Sequence, residues 1–147
     1  MKKIKIYTDG GSRGNPGKAA VGVVFYNEKK EPIKKYSEYL GDNFTNNEAE
    51  YHAVILALKK FKHVFGKKIA KVSEIELNSD SELLVKQLNG KYKVMNDKIQ
   101  PLFLTVWNLR TDFKSVKFKH ILRGKNTVAD ALANEALDAK EREKKLF

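Results

Sequence analysis

The sequence predicts an α/β domain built on a five-stranded mixed sheet, three antiparallel strands followed by parallel ones, flanked by helices. Three observations carry that prediction. Residues 3–40 hold alternating or apolar segments separated by short, turn-rich stretches, as in an antiparallel meander. Residues 46–65 then carry a long apolar helical face. From residue 74 onward, strand-like segments run into amphipathic helical stretches, a succession that pairs strands in parallel through crossover helices.

Residues 3–9 read as the first strand, with Ile4, Ile6 and Thr8 on one side and Lys5, Tyr7 and Asp9 on the other. A glycine turn is expected to end it at Asp9, because Gly10, Gly11, Gly14, Asn15, Pro16 and Gly17 follow. Residues 19–26 form a second strand and 31–40 a third, closed by Gly41-Asp42-Asn43. The helix over 46–65 opens on a capping box, Thr45 as N-cap with Glu48 three residues on. At 100° per residue Glu50 falls within the apolar arc of Val54, Ala57, Leu58, Phe61 and Phe65. Glu48 falls on the side of His52, Lys59 and Lys62, facing solvent.

Residues 66–73 read as a lysine-containing connection, 74–79 as a strand ending at Asp80, and 81–88 as a short helix. A further amphipathic helix spans 97–113, with Pro101 in its first turn and Trp107 assigned to the core. Residues 116–122 form the last strand, and Asn126 opens a final helix with an alanine-rich flank. The chain is expected to be one domain over residues 1–140, with a charged tail at 141–147.

Composition narrows the function. With no cysteine, disulfides and thiolate metal sites are excluded. No apolar run approaches the roughly 18 residues of a membrane span, and no signal peptide is evident, so a cytoplasmic protein with no membrane association is expected. A formal charge of +11 favours a polyanionic partner. No obligate protein partner is evident.

Four carboxylates stand at element junctions: Asp9, Glu50, Asp80 and Asp130. A carboxylate on an apolar helix face costs several kcal/mol unless it is paired or binds a metal, so Glu50 demands an explanation. Four converging carboxylates would repel by roughly 4 kcal/mol per pair at about 4 Å and an effective dielectric of about 20, which cations relieve. Oxygen ligands without cysteine or a histidine cluster favour Mg²⁺ or Mn²⁺. The plainer reading of Asp80 and Asp130, taken singly, is a helix cap.

The segments Tyr7-Thr8-Asp9-Gly10-Gly11-Ser12, Gly14-Asn15-Pro16-Gly17, Thr45-Asn46-Asn47-Glu48-Ala49-Glu50, Ser79-Asp80-Ser81 and Asn126 with Ala129-Asp130-Ala131-Leu132-Ala133 resemble, in order, type 1 ribonuclease H. The resemblance covers nearly the whole chain and implies the ribonuclease H-like fold. It further implies two Mg²⁺ ions, with Mn²⁺ a possible substitute, and hydrolysis of the RNA strand of an RNA/DNA hybrid to 5′-phosphate and 3′-hydroxyl ends. By the same resemblance Asp9 bridges both ions, Asp130 helps hold the ion that activates water, and Glu50 and Asp80 hold the other. Gly10, Gly11, Ser12 and Asn15 are implied to meet the RNA strand, and Thr45, Asn46 and Asn47 the nucleic-acid backbone and base edges.

Three departures stand out. Leu122-Arg123-Gly124-Lys125-Asn126 is shorter than the family's histidine-bearing loop and has no histidine, leaving Arg123 to serve near the phosphate. Residues 89–96 replace the family's basic insertion, with Lys91, Tyr92 and Lys93 a reduced substitute. Glu82 stands where a polar amide is usual. This compact form resembles a subgroup found in archaea and some bacteria. Two rivals remain: a binding module of the same fold without turnover, and a related nuclease acting on double-stranded RNA or DNA.

Overall fold

The structure is a computed structural model and describes residues 2–146. Strands β1 (Lys2–Gly14), β2 (Gly17–Tyr26) and β3 (Pro32–Phe44) form an antiparallel meander. Helix α1 (Asn46–Phe65) and the short α2 (Lys67–Lys71) return the chain to β4 (Ser73–Ser79), which pairs in parallel with β1. Helices α3 (Glu82–Leu88) and α4 (Ile99–Arg110) lead to β5 (Ser115–His120), parallel to β4. A single 3-10 turn, Arg123–Lys125, then precedes α5 (Thr127–Leu146). The sheet order is β3-β2-β1-β4-β5, the expected mixed sheet.

Helix α1 covers one face of the sheet over Ile4, Ile6, Val23 and Phe25, and α5 covers the other across β2 and β3. Two glycines set how closely they approach. A Cβ on Gly10 would lie 2.2 Å from the Ala49 carbonyl oxygen of α1. One on Gly22 would lie 2.1 Å from the Ala129 carbonyl oxygen of α5. Both helices therefore rest on bare backbone, and their neighbours in sequence, Glu50 and Asp130, are brought down beside Asp9 in β1.

The structure differs from the sequence expectations in several places. Strand β1 does not end at Asp9 but continues to Gly14, paired with β2 as far as Gly17. The glycines here serve close packing as well as turning. Glu48 is half-buried and folds back onto the Thr45 N–H at 3.0 Å, completing the capping box instead of pointing to solvent. The connection over 66–73 contains α2. Trp107 is 38% exposed, with Phe103 stacked near it and the Arg110 guanidinium 3.4 Å over its ring, so it is not core. His52 is half-buried against Phe44, and burial lowers its pKa. Helix α5 extends to Leu146 through most of the charged tail; Phe147 lies outside the described residues.

Candidate active site

Each candidate carboxylate is delivered by a different element. Asp9 lies on β1 opposite Gly22, and so on the α5 face. Glu50, in the second turn of α1, is 7% exposed and accepts from the Gly10 N–H at 2.5 Å. Asp80 directly follows β4. It is not a cap, since Ser81 caps α3 by accepting from the Leu84 N–H at 3.2 Å. Asp130 sits in the first turn of α5, its N–H donating to the Asn126 carbonyl at 3.1 Å.

Ligand oxygens of Asp9, Glu50 and Asp80 all lie within 4.8 Å of one another, a cluster able to hold a metal ion. Asp130 lies outside that triad but close enough to Asp9 to act on its protonation. Burial, the neighbouring Asp80 charge and the Asp130 contact push Asp9 from the ordinary 3.8 to about 8. Glu50 is pushed well above its ordinary range, by burial first and then by Asp9. The Gly10 N–H and the Arg123 charge oppose the rise at Glu50, and Arg123 opposes it at Asp9. The site thus carries more acid than it can ionise unaided, and its all-oxygen donor set suits a hard divalent cation.

The carboxylates line a cleft of about 520 Å³ together with Gly10, Gly11, Ser12, Asn46, Asn47 and Arg123. Ser12 donates from N–H and Oγ to Asn46 Oδ1 at 2.9 and 3.1 Å, and Asn15 Oδ1 accepts from the Asn46 N–H at 3.1 Å. Thr45 and Asn15 do not line the cleft; they hold the start of α1 in place beneath it. Asn47 Oδ1 is buried without a partner, leaving an acceptor unused.

Sequence reasoning missed Arg13, Leu83 and Asn134, which also line the cleft. Arg13 donates to Glu141 at 2.6 Å, Asp138 at 2.7 Å and Asn134 at 3.3 Å, tying the hairpin tip to α5. No local motif spans 121 to 128 residues, so only the i, i+4 and i+7 spacing of Asn134, Asp138 and Glu141 hinted at a shared polar stripe.

The separation of Glu48 from the carboxylate cluster makes a direct test. Glu48→Gln preserves a capping box, so cleavage rates within about twofold of the parent and an unchanged melting temperature are expected. A folded but inactive variant would transfer the catalytic role to Glu48.

Comparison with known proteins agrees with this geometry. Residues 7–136 match the family described as Reverse transcriptase-like. The chain is 34% identical over 93% of its length to a bifunctional protein of Mycobacterium tuberculosis, and 39% identical over 92% to ribonuclease HI of Halobacterium salinarum. It spans 36% of the first relative's length and 65% of the second's. The structure of LC11-RNase H1, isolated from compost by a metagenomic approach, superposes with a TM-score of 0.88 at 44% identity, covering 95% of this chain and 99% of that one. The same protein in complex with an RNA/DNA hybrid superposes at 0.87, with 43% identity over 93% and 98% of the two chains. No helix among the described residues is long and apolar enough to cross a membrane. The ordered motifs, the mixed sheet and these relatives agree, and the chain belongs to the type 1 ribonuclease H family.

Proposed function

We propose that the chain is an endoribonuclease of the cytoplasm that hydrolyses the RNA strand of RNA/DNA hybrids with two divalent cations, leaving 5′-phosphate and 3′-hydroxyl ends. The observation that carries this reading is the convergence of Asp9, Glu50 and Asp80 within 4.8 Å, with Asp130 beside Asp9. The hybrid bound by LC11-RNase H1 supports the substrate class. Asp9 and Asp130 would hold one Mg²⁺ or Mn²⁺, and Asp9, Glu50 and Asp80 the other. When bound, the ions supply positive charge that offsets the phosphate and lowers the pKa of an attacking water.

The chain's own residues do the rest. Glu50 is fixed by the Gly10 N–H, so it keeps its position while charged. The Ser12–Asn46 pair couples the β1–β2 hairpin to the N-terminus of α1, where the helix dipole favours a phosphate. Arg123, exposed on the 3-10 turn and already acting on Asp9 and Glu50, brings a cation to the cleft.

The test is substrate competition with Mg²⁺, Mn²⁺ or EDTA, the hybrid labelled on its RNA strand. Metal-dependent cutting of the RNA, outcompeting a DNA duplex, is expected. Equal cutting of DNA or double-stranded RNA would favour a broader nuclease, and binding without cutting would favour a binding module.

A further inference from the structure

Asn126 is 1% exposed, so it cannot touch substrate, and the proposed reaction gives it no task. Its side-chain amide nevertheless donates to the Thr8 carbonyl at 2.9 Å and to Asp80 Oδ2 at 3.5 Å, across 118 and 46 residues of sequence. Its own carbonyl accepts from the Asp130 N–H at 3.1 Å. One residue therefore contacts the residue before Asp9, Asp80 itself, and the backbone of Asp130.

The chemistry fixes which way the amide faces. Thr8 O and Asp80 Oδ2 are both acceptors, so only the NH₂ end can meet them. That orientation leaves Asn126 Oδ1 buried with no partner. An unsatisfied buried acceptor costs about 1–3 kcal/mol, a cost that a residue placed for packing alone would not carry. The benefit lies at the carboxylates, whose spacing the amide sets.

We propose that Asn126 is a positioning residue for the metal ligands, bridging the middle of β1, the end of β4 and the start of α5 so that Asp9, Asp80 and Asp130 meet at one place. The inference rests on the two-cation reading above, and its mechanism is that of an outer-shell group, which orients ligands without binding the ion. Loss of such a group typically weakens metal affinity about 10–100-fold.

The test is Mn²⁺ binding to the metal-free chain, followed by electron paramagnetic resonance of the free ion, for the parent, Asn126→Ala and Asn126→Leu. Leucine keeps the branching of asparagine and removes the unpaired Oδ1, so it leaves no cavity where alanine would; melting curves verify that each variant is folded. At least tenfold weaker Mn²⁺ binding is expected in both variants. KM for the hybrid should stay near the parent value, and kcat should be lost at low metal and regained as metal is raised. Folded variants with parental Mn²⁺ affinity and metal dependence would overturn the role of Asn126. A parent chain that binds no Mn²⁺ would instead overturn the two-cation reading itself.

Discussion

Asp9→Asn abolishes hybrid cleavage, by at least roughly a thousandfold, while the variant folds as stably as the parent or more so. The loss follows from the position of Asp9 between Asp130, Asp80 and Glu50: it is the carboxylate shared by both proposed cations. Removing a ligand common to both takes away several kcal/mol of charge stabilisation, and about 4 kcal/mol is a thousandfold in rate. The gain in stability follows from the same crowding. Asparagine is neutral, retains a donor for Asp130, and relieves repulsion with Asp80. Each kcal/mol relieved raises the melting temperature by roughly 2–4 °C at this chain length. Single-turnover cleavage and metal-free thermal melts verify the two halves separately. An active Asp9→Asn would remove the proposed site, whereas an inactive but unfolded one would say only that Asp9 is structural.

The pH dependence has a definite sign. Asp9 sits at about 8 in the folded chain against 3.8 ordinarily, so between about pH 4 and 8 the folded state binds more protons than the unfolded one. Metal-free stability must therefore fall as pH rises through that window, and Glu50 acts in the same direction. Asp9→Asn flattens the slope without removing it. Bound divalent metal reverses the balance by favouring the ionised carboxylates, so the protein releases protons when it binds the ion.

Much of the site could be read from sequence because its chemistry conflicts with its surroundings. Glu50 on an apolar helix face is unreasonable without a partner, and the Thr45–Glu48 capping box fixed the helix phase that set Glu50 apart from Glu48. The mixed sheet, antiparallel strands followed by parallel ones, followed from turn lengths and strand–helix succession, both local features. What could not be read depends on distance in space. The continuation of β1 through Gly10–Gly14 is decided by pairing with β2 and by the approach of α1, so glycine composition alone suggested a turn. Arg13 finds its carboxylates only once α5 crosses the hairpin tip. Trp107 has core-like spacing along α4, yet no element covers that side of the helix enough to bury it, and Phe103 and Arg110 cover it only in part. Asn126 is visible in the last motif, but its buried contacts to Thr8 and Asp80 lie far away in sequence and leave no local trace.

Gly10→Ala should be among the costliest single-methyl changes near the cleft. The added Cβ would stand 2.2 Å from the Ala49 carbonyl oxygen, 2.3 Å from its carbonyl carbon and 2.6 Å from the Glu50 nitrogen. Real Cβ contacts are not that short, and the obstacles are backbone atoms, which cannot rotate away. Either α1 moves off β1 or β1 bends at Gly10. Both outcomes break the 2.5 Å contact from the Gly10 N–H to Glu50. Overpacking of this kind costs about 1–3 kcal/mol, and displacement of a rigid helix places it at or above the upper end. A fall in melting temperature of about 6 °C or more is expected, with loss of cleavage even at temperatures where the variant remains folded. Gly11→Ala is the control for stability. Its Cβ would meet nothing within 4 Å, and Gly11 does not adopt a positive φ, so alanine fits there without strain. If Gly10→Ala and Gly11→Ala melted alike, the close approach of α1 would not be what holds Glu50 against Gly10 of β1, and the seat of that carboxylate would have to be found in α1 itself.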